Sequence, residues 1–140
     1  MLSHKTNNIH LIYVINMNNK DYAQDYVTTR GLKESSTYKI WTILEHYSNY
    51  QSETLQDLLD EADNEEEVGI RWKRRTLKQR LVNYMNYCKS EMLLSSAKTY
   101  FNTVKAFYTH HEIEIGQLPK WNTKNANVPE PITSKDMLDK

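Results

Sequence analysis

Ser95-Ser-Ala-Lys-Thr-Tyr-Phe-Asn-Thr-Val-Lys-Ala-Phe-Tyr108 carries the cleanest periodicity in the chain. Ala97, Tyr100, Phe101, Val104, Phe107 and Tyr108 recur at three- and four-residue intervals and form one apolar stripe, the pattern of a helix that buries one face. The spacing predicts a helix from Ser95 or Ser96 to about His111. The same reading works outward in both directions. Leu77, Leu81, Tyr84, Met85 and Cys88 form a stripe in a preceding helix that starts between Ile70 and Arg75. Leu55, Leu58, Leu59 and Ala62 follow Thr54-Leu-Gln-Asp57, a capping-box-like start. Ile40, Trp41, Leu44 and Tyr47 repeat behind Ser35 or Ser36, either of which can cap a helix. Tyr22, Ala23, Tyr26 and Val27 line a short helix over Asp21 to Arg30, with Gly31 placed as its left-handed terminator. These segments predict an all-α fold, a bundle of four or five short helices.

Composition agrees. The 140 residues include only three Gly and three Pro, too few for a barrel or sandwich built on tight turns. One cysteine, Cys88, excludes an intrachain disulfide and fits a reducing cytoplasm. No apolar run approaches the roughly 20 residues of a membrane span. The organisation predicted is an irregular amino-terminal segment over 1–19, a helical domain over 20–115, a linker over 116–131 and the start of another helix over 132–140. Ile9 to Ile15 has strand-like composition, and Met17, just before the first helical pattern, is an alternative to Met1 as translation start. Ile113 to Ile115 reads as a short extended piece. The linker contains all three prolines and no periodicity. Thr133-Ser-Lys-Asp136 reads as the last helix start.

Charge cancels overall, 18 basic against 18 acidic residues, but it is unevenly distributed. Glu53 to Glu67 holds eight acids and no base, whereas Arg71 to Arg80 holds six bases and no acid. Arg71, Arg74, Arg75 and Lys78 fall at i, i+3, i+4 and i+7, one face of a helix, about a quarter turn from the apolar stripe. Arginine forks bind phosphate oxygens two at a time. Lys98, Asn102, Lys105 and Thr109 give the last long helix a polar face. Its amino end, with Ser95, Ser96 and Thr99, offers backbone N–H groups and hydroxyls to a phosphate. A competing reading pairs the basic helix with the acidic one inside the molecule, or uses the two faces to bind a protein partner.

From about Asp21 to Lys140 the chain resembles the amino-terminal part of tyrosine recombinases, the phage-integrase family, in its archaeal form. The resemblance rests on Arg30-Gly-Leu-Lys-Glu-Ser-Ser-Thr-Tyr38, on Arg80-Leu-Val-Asn-Tyr84, on Leu94-Ser-Ser-Ala-Lys-Thr-Tyr100 through Lys105-Ala-Phe-Tyr108 and Ile113, and on Pro129-Glu-Pro-Ile-Thr-Ser-Lys-Asp-Met137. It implies a SAM-like core-binding domain that closes over one face of duplex DNA, acting in DNA integration or recombination. Arg71, Arg74, Arg75, Lys78, Ser95, Ser96, Lys98, Thr99, Asn102 and Lys105 would then face DNA. Other recombinase protomers would be partners on the DNA, with no cofactor, membrane or small-molecule substrate. The family's chemistry uses arginines, a His-x-x-Arg motif and a tyrosine nucleophile. Three residues beyond each histidine stand Asn7, Tyr13, Asn49, Ile113 and Glu114, so the motif is missing. Most of the ten tyrosines sit on apolar stripes, as core residues do. The expectation is a DNA-gripping domain, not itself an enzyme, standing as a fragment or remnant, with 132–140 as the start of the missing catalytic domain. His110-His-Glu112 is the one metal-like cluster, and adjacent residues on a helix diverge by about 100°, so no metal site is expected there.

Overall fold

The computed structural model describes residues 17–121. It contains five α-helices and one 3-10 turn: α1 (Asn19–Thr29), α2 (Ser36–Gln51), α3 (Leu55–Glu67), the turn Trp72–Arg74, α4 (Thr76–Glu91) and α5 (Leu94–His110). No strand occurs among the described residues. Nor is any helix there long and apolar enough to cross a membrane. The all-α bundle expected from the periodicity is therefore the observed architecture. The segment 1–16, the remainder of the linker from 122 and the helix start after Thr133 lie outside the described residues.

Some helix ends have a local reason, though not always the expected one. Asn18 opens α1 with a reciprocal capping box: its Oδ1 accepts from the Asp21 amide at 2.9 Å, and its own amide donates to Asp21 Oδ2 at 3.1 Å. Gly31 terminates α1 at φ 68°, a left-handed conformation that costs glycine little. Thr54 caps α3, its hydroxyl oxygen accepting from the Asp57 amide at 3.0 Å. Ser35 does not cap α2. It takes a helical conformation and makes no side-chain bond to the helix. Ser95 and Ser96 are not caps either, because α5 starts one residue earlier, at Leu94 behind Leu93, with no side-chain cap. The Thr99 hydroxyl donates back to the Ser95 carbonyl at 3.1 Å instead.

The core is built from the anticipated stripes, with Ile43 added and with Ile40 and Trp41 only partly buried against it. Ile43, Leu44, Tyr47, Leu77, Leu81, Tyr84, Phe101, Val104, Phe107 and Tyr108 are all buried. α1 packs chiefly on α2, and α5 packs on α4 and α2. Three tyrosines sit where phenylalanine would be ordinary, and each spends its hydroxyl internally. Tyr47 and Tyr108 share a hydrogen bond at 2.8 Å, and Tyr84 meets His46 Nδ1 at 2.8 Å. Burial pushes all three phenols well above their ordinary range, so they stay protonated. Tyr22 is pushed up to about 12 by burial and by the nearby Asp60 and Asp25 carboxylates. Burial also lowers the His46 imidazole, keeping it neutral beside Tyr84.

After α5 the chain turns at Glu112, φ 64°, and runs back over the α4–α5 pair. Ile113 is buried, and Ile115, Leu118 and Trp121 pack against the core. At one end Trp72 Nε1 donates to the Gln117 carbonyl at 2.8 Å. At the other, the Trp121 ring meets Phe101 edge-on, centroids 5.7 Å apart, with Lys89 Nζ 5.5 Å from the indole. Residues 113–121 thus form a strap along the helix pair, and the first part of the expected linker lies on the bundle.

Candidate nucleic-acid interface

The basic segment is not one continuous helix. Arg71 is extended, Trp72–Arg74 makes the 3-10 turn, and Arg75 is extended again at φ −74°, ψ 141°, before α4 begins at Thr76. The single face expected from Arg71, Arg74, Arg75 and Lys78 is therefore broken at Arg75. The cause lies in α3. Glu65 accepts from the Thr76 amide at 2.8 Å and from the Thr76 hydroxyl at 2.7 Å, capping α4 across space and fixing its first residue. A carboxylate at that end also meets the positive pole of the helix.

Arg75 is committed inward. Its Nε donates to the Ile70 carbonyl at 2.7 Å, Nη1 lies 3.5 Å from Glu66, and only 13 % of its side chain is exposed. Arg80 is committed likewise, forking onto both Glu61 oxygens at 2.7 and 3.0 Å and onto Gln51 Oε1 at 2.8 Å. In this respect the acidic and basic helices do pair within the molecule. Arg71, Lys73 and Arg74, by contrast, are exposed, and Lys78 is half-buried. Among the described residues, none of these four has a carboxylate within 4.0 Å. Lys73 is outside the predicted face; it is exposed on the same short turn as Arg74.

Trp72 holds this turn in place, bonded to Gln117 and packed on Gly116. A Cβ at Gly116 would stand 2.5 Å from Trp72 Cγ and Cδ1, so the strap can approach the indole only as glycine. Gly116→Ala should cost about 1–3 kcal/mol through overpacking and move the strap off Trp72. Paired urea melts and tryptophan emission spectra would register both effects; an unchanged midpoint would contradict the packing.

The second predicted group lies on α5. Ser95, Thr99 and Asn102 are exposed, while Ser96, Lys98 and Lys105 are half-buried. Lys98, Asn102 and Lys105 do share one helix face, with Lys105 Nζ 6.0 Å from the Phe101 ring. The two groups are not brought together. α4 and α5 run antiparallel, since Arg80 lies beside Tyr108 and Tyr84 beside Tyr100. At about 1.5 Å of rise per residue, roughly 20 Å separates the level of Lys78 from that of Ser95. Ser95, Ser96 and Lys98 therefore sit toward the other end of the helical hairpin from the basic turn, whereas Lys105 lies near the level of Lys78.

Compared with known proteins, the chain matches no family model, no curated protein and no solved structure.

Proposed function

We propose that this chain is a DNA-binding helical domain of the tyrosine-recombinase core-binding kind, gripping duplex DNA through its phosphates in site-specific recombination or DNA integration. It holds DNA and leaves strand chemistry to other residues than its own. On this reading it works in the cytoplasm, needs no cofactor, and meets other protomers on the DNA.

One observation carries the proposal. The acidic helix neutralises Arg75 and Arg80, while Arg71, Lys73 and Arg74, at a turn anchored by Trp72, have no carboxylate within 4.0 Å among the described residues. Exposed cations held by a rigid anchor lose less entropy on meeting phosphates than cations on a free loop. Lys98, toward the far end of the helix pair, adds a second contact. Two contacts roughly 20 Å apart match about six base-pair steps along one strand.

Fluorescence anisotropy with a mixed-sequence duplex across a salt series tests this. Log affinity should fall with log salt at about 0.9 per phosphate contacted. Arg71→Glu with Arg74→Glu should weaken binding at least about tenfold and lower the slope by about 2. Absence of binding at low salt would favour the alternative reading, a helical interaction module that uses its basic turn and the exposed Asp57, Asp60 and Asp63 of α3.

A further inference from the structure

Three side chains with metal-ligand chemistry converge far from the basic turn. Asp25 on α1 meets His110 and His111 at the end of α5, and one ligand atom from each lies within 4.8 Å of the other two. His110 is the last residue of α5, and His111 is its cap, at φ −93°, ψ 18°, already leaving the helix. The divergence of neighbours on a continuous helix does not apply there: the two imidazole centroids are 5.0 Å apart with rings at 90°. The third group, Asp25, comes from a helix that the sequence alone does not bring to this place.

We propose that Asp25, His110 and His111 bind a divalent transition-metal ion such as Zn²⁺, with water at the remaining position. Two imidazole nitrogens and one carboxylate oxygen are a recognised donor set for such ions, and hard cations that prefer all-oxygen shells are disfavoured. Ligand bonds of about 2.1 Å in a tetrahedron put neighbouring donors about 3.4 Å apart. His110 Nε2 and Asp25 Oδ2 are 3.1 Å apart, which fits, and a His111 ring nitrogen lies within 4.8 Å of both.

The surroundings support a cation. Thr29 Oγ1 donates to Asp25 Oδ1 at 3.3 Å, turning Oδ2 toward His110, the kind of outer contact that orients a ligating carboxylate. The carbonyl end of α5 is the negative pole of that helix. His111 keeps Nε2 buried with no hydrogen-bond partner among the described residues, and it borders a cleft lined by Tyr22, Asp60 and Asp63. Arg30, 5.0 Å from the Tyr26 ring that packs on His110, is the nearby opposing charge.

The test is titration of the full chain with Co²⁺, read by visible d–d absorption, then competition with Zn²⁺. One Co²⁺ per chain is expected, with intensity typical of four-coordination. Asp25→Asn and His110→Gln should each weaken binding at least about tenfold, while His46→Gln should leave it unchanged. Imidazole NMR of the unmutated protein gives a readout independent of variant folding: Zn²⁺ should move the His110 and His111 resonances and spare His46. Absence of d–d bands, bands that survive both substitutions, or Zn²⁺ shifts confined to other histidines would each overturn the site.

Discussion

Phe107→Ala should lower the unfolding free energy by about 3–5 kcal/mol, the usual cost of emptying a buried aromatic position. Phe107 has no exposed surface. Its ring meets Tyr22 of α1 edge-on at 5.8 Å, Tyr108 at 5.9 Å and His111 at 4.9 Å, so it ties the first helix to the last. Those neighbours are aromatic and anchored, Tyr22 to Gln56 and Tyr108 to Tyr47, and they cannot collapse far into the cavity. Domains of this size are stable by only about 5–15 kcal/mol, so the loss would remove a large part of the total. Urea denaturation followed by circular dichroism should show a lower midpoint with an unchanged slope. Phe107→Leu should cost less, and Tyr38→Ala, at a side chain 72 % exposed, should stay within about 0.5 kcal/mol. A loss below about 1 kcal/mol at Phe107 would mean that the helices do not meet there.

Arg80→Met should cost about 2–4 kcal/mol, for a different reason. The guanidinium fork satisfies Glu61 twice and Gln51 once, and hydrogen bonding to Glu61 raises its already high pKa. Removing the arginine strands the Glu61 carboxylate at a site 31 % exposed, between α3 and the Tyr47–Tyr108 pair. Most of the loss comes from that unpaired charge rather than from the net strength of the bridge. Glu61→Leu added to Arg80→Met should therefore restore part of the stability, with a coupling energy of about 1–3 kcal/mol in a double-mutant cycle. Arg80→Lys should fail to substitute, because an ammonium cannot reproduce the two-pronged contact. Additive losses in the cycle would show that Arg80 and Glu61 act independently.

The helices were legible because their evidence is local. Tyr22, Ala23, Tyr26 and Val27 lie on one side of any helix those residues form, and all four are buried. The same holds for the stripes on α3 and α4. Tyr100 alone drops out of the buried set on α5, staying half-exposed with its ring 5.2 Å from His46. Helix starts were less legible where the acceptor comes from elsewhere. Thr54 caps its own helix and could be read directly. The start of α4 could not, because Glu65 supplies the cap from another helix.

The candidate sites divide in the same way. The amount and sign of charge between Arg71 and Arg80, and the one-sided face of Lys98, Asn102 and Lys105, are properties of short segments. Which cations remain available is not. Arg71 and Arg75 are chemically alike, yet one is exposed and the other is held by Ile70 and Glu66. The meeting of Asp25 with His110 and His111, like that of Trp72 with Gly116 and Gln117, depends on how helices close on one another. The helical class, most of the core stripes and the location of the charge follow from backbone periodicity and composition, which act over a few residues. Which charges are neutralised, which glycine must stay a glycine and which distant ligands converge depend on side chains brought within a few ångströms by the packing of the bundle.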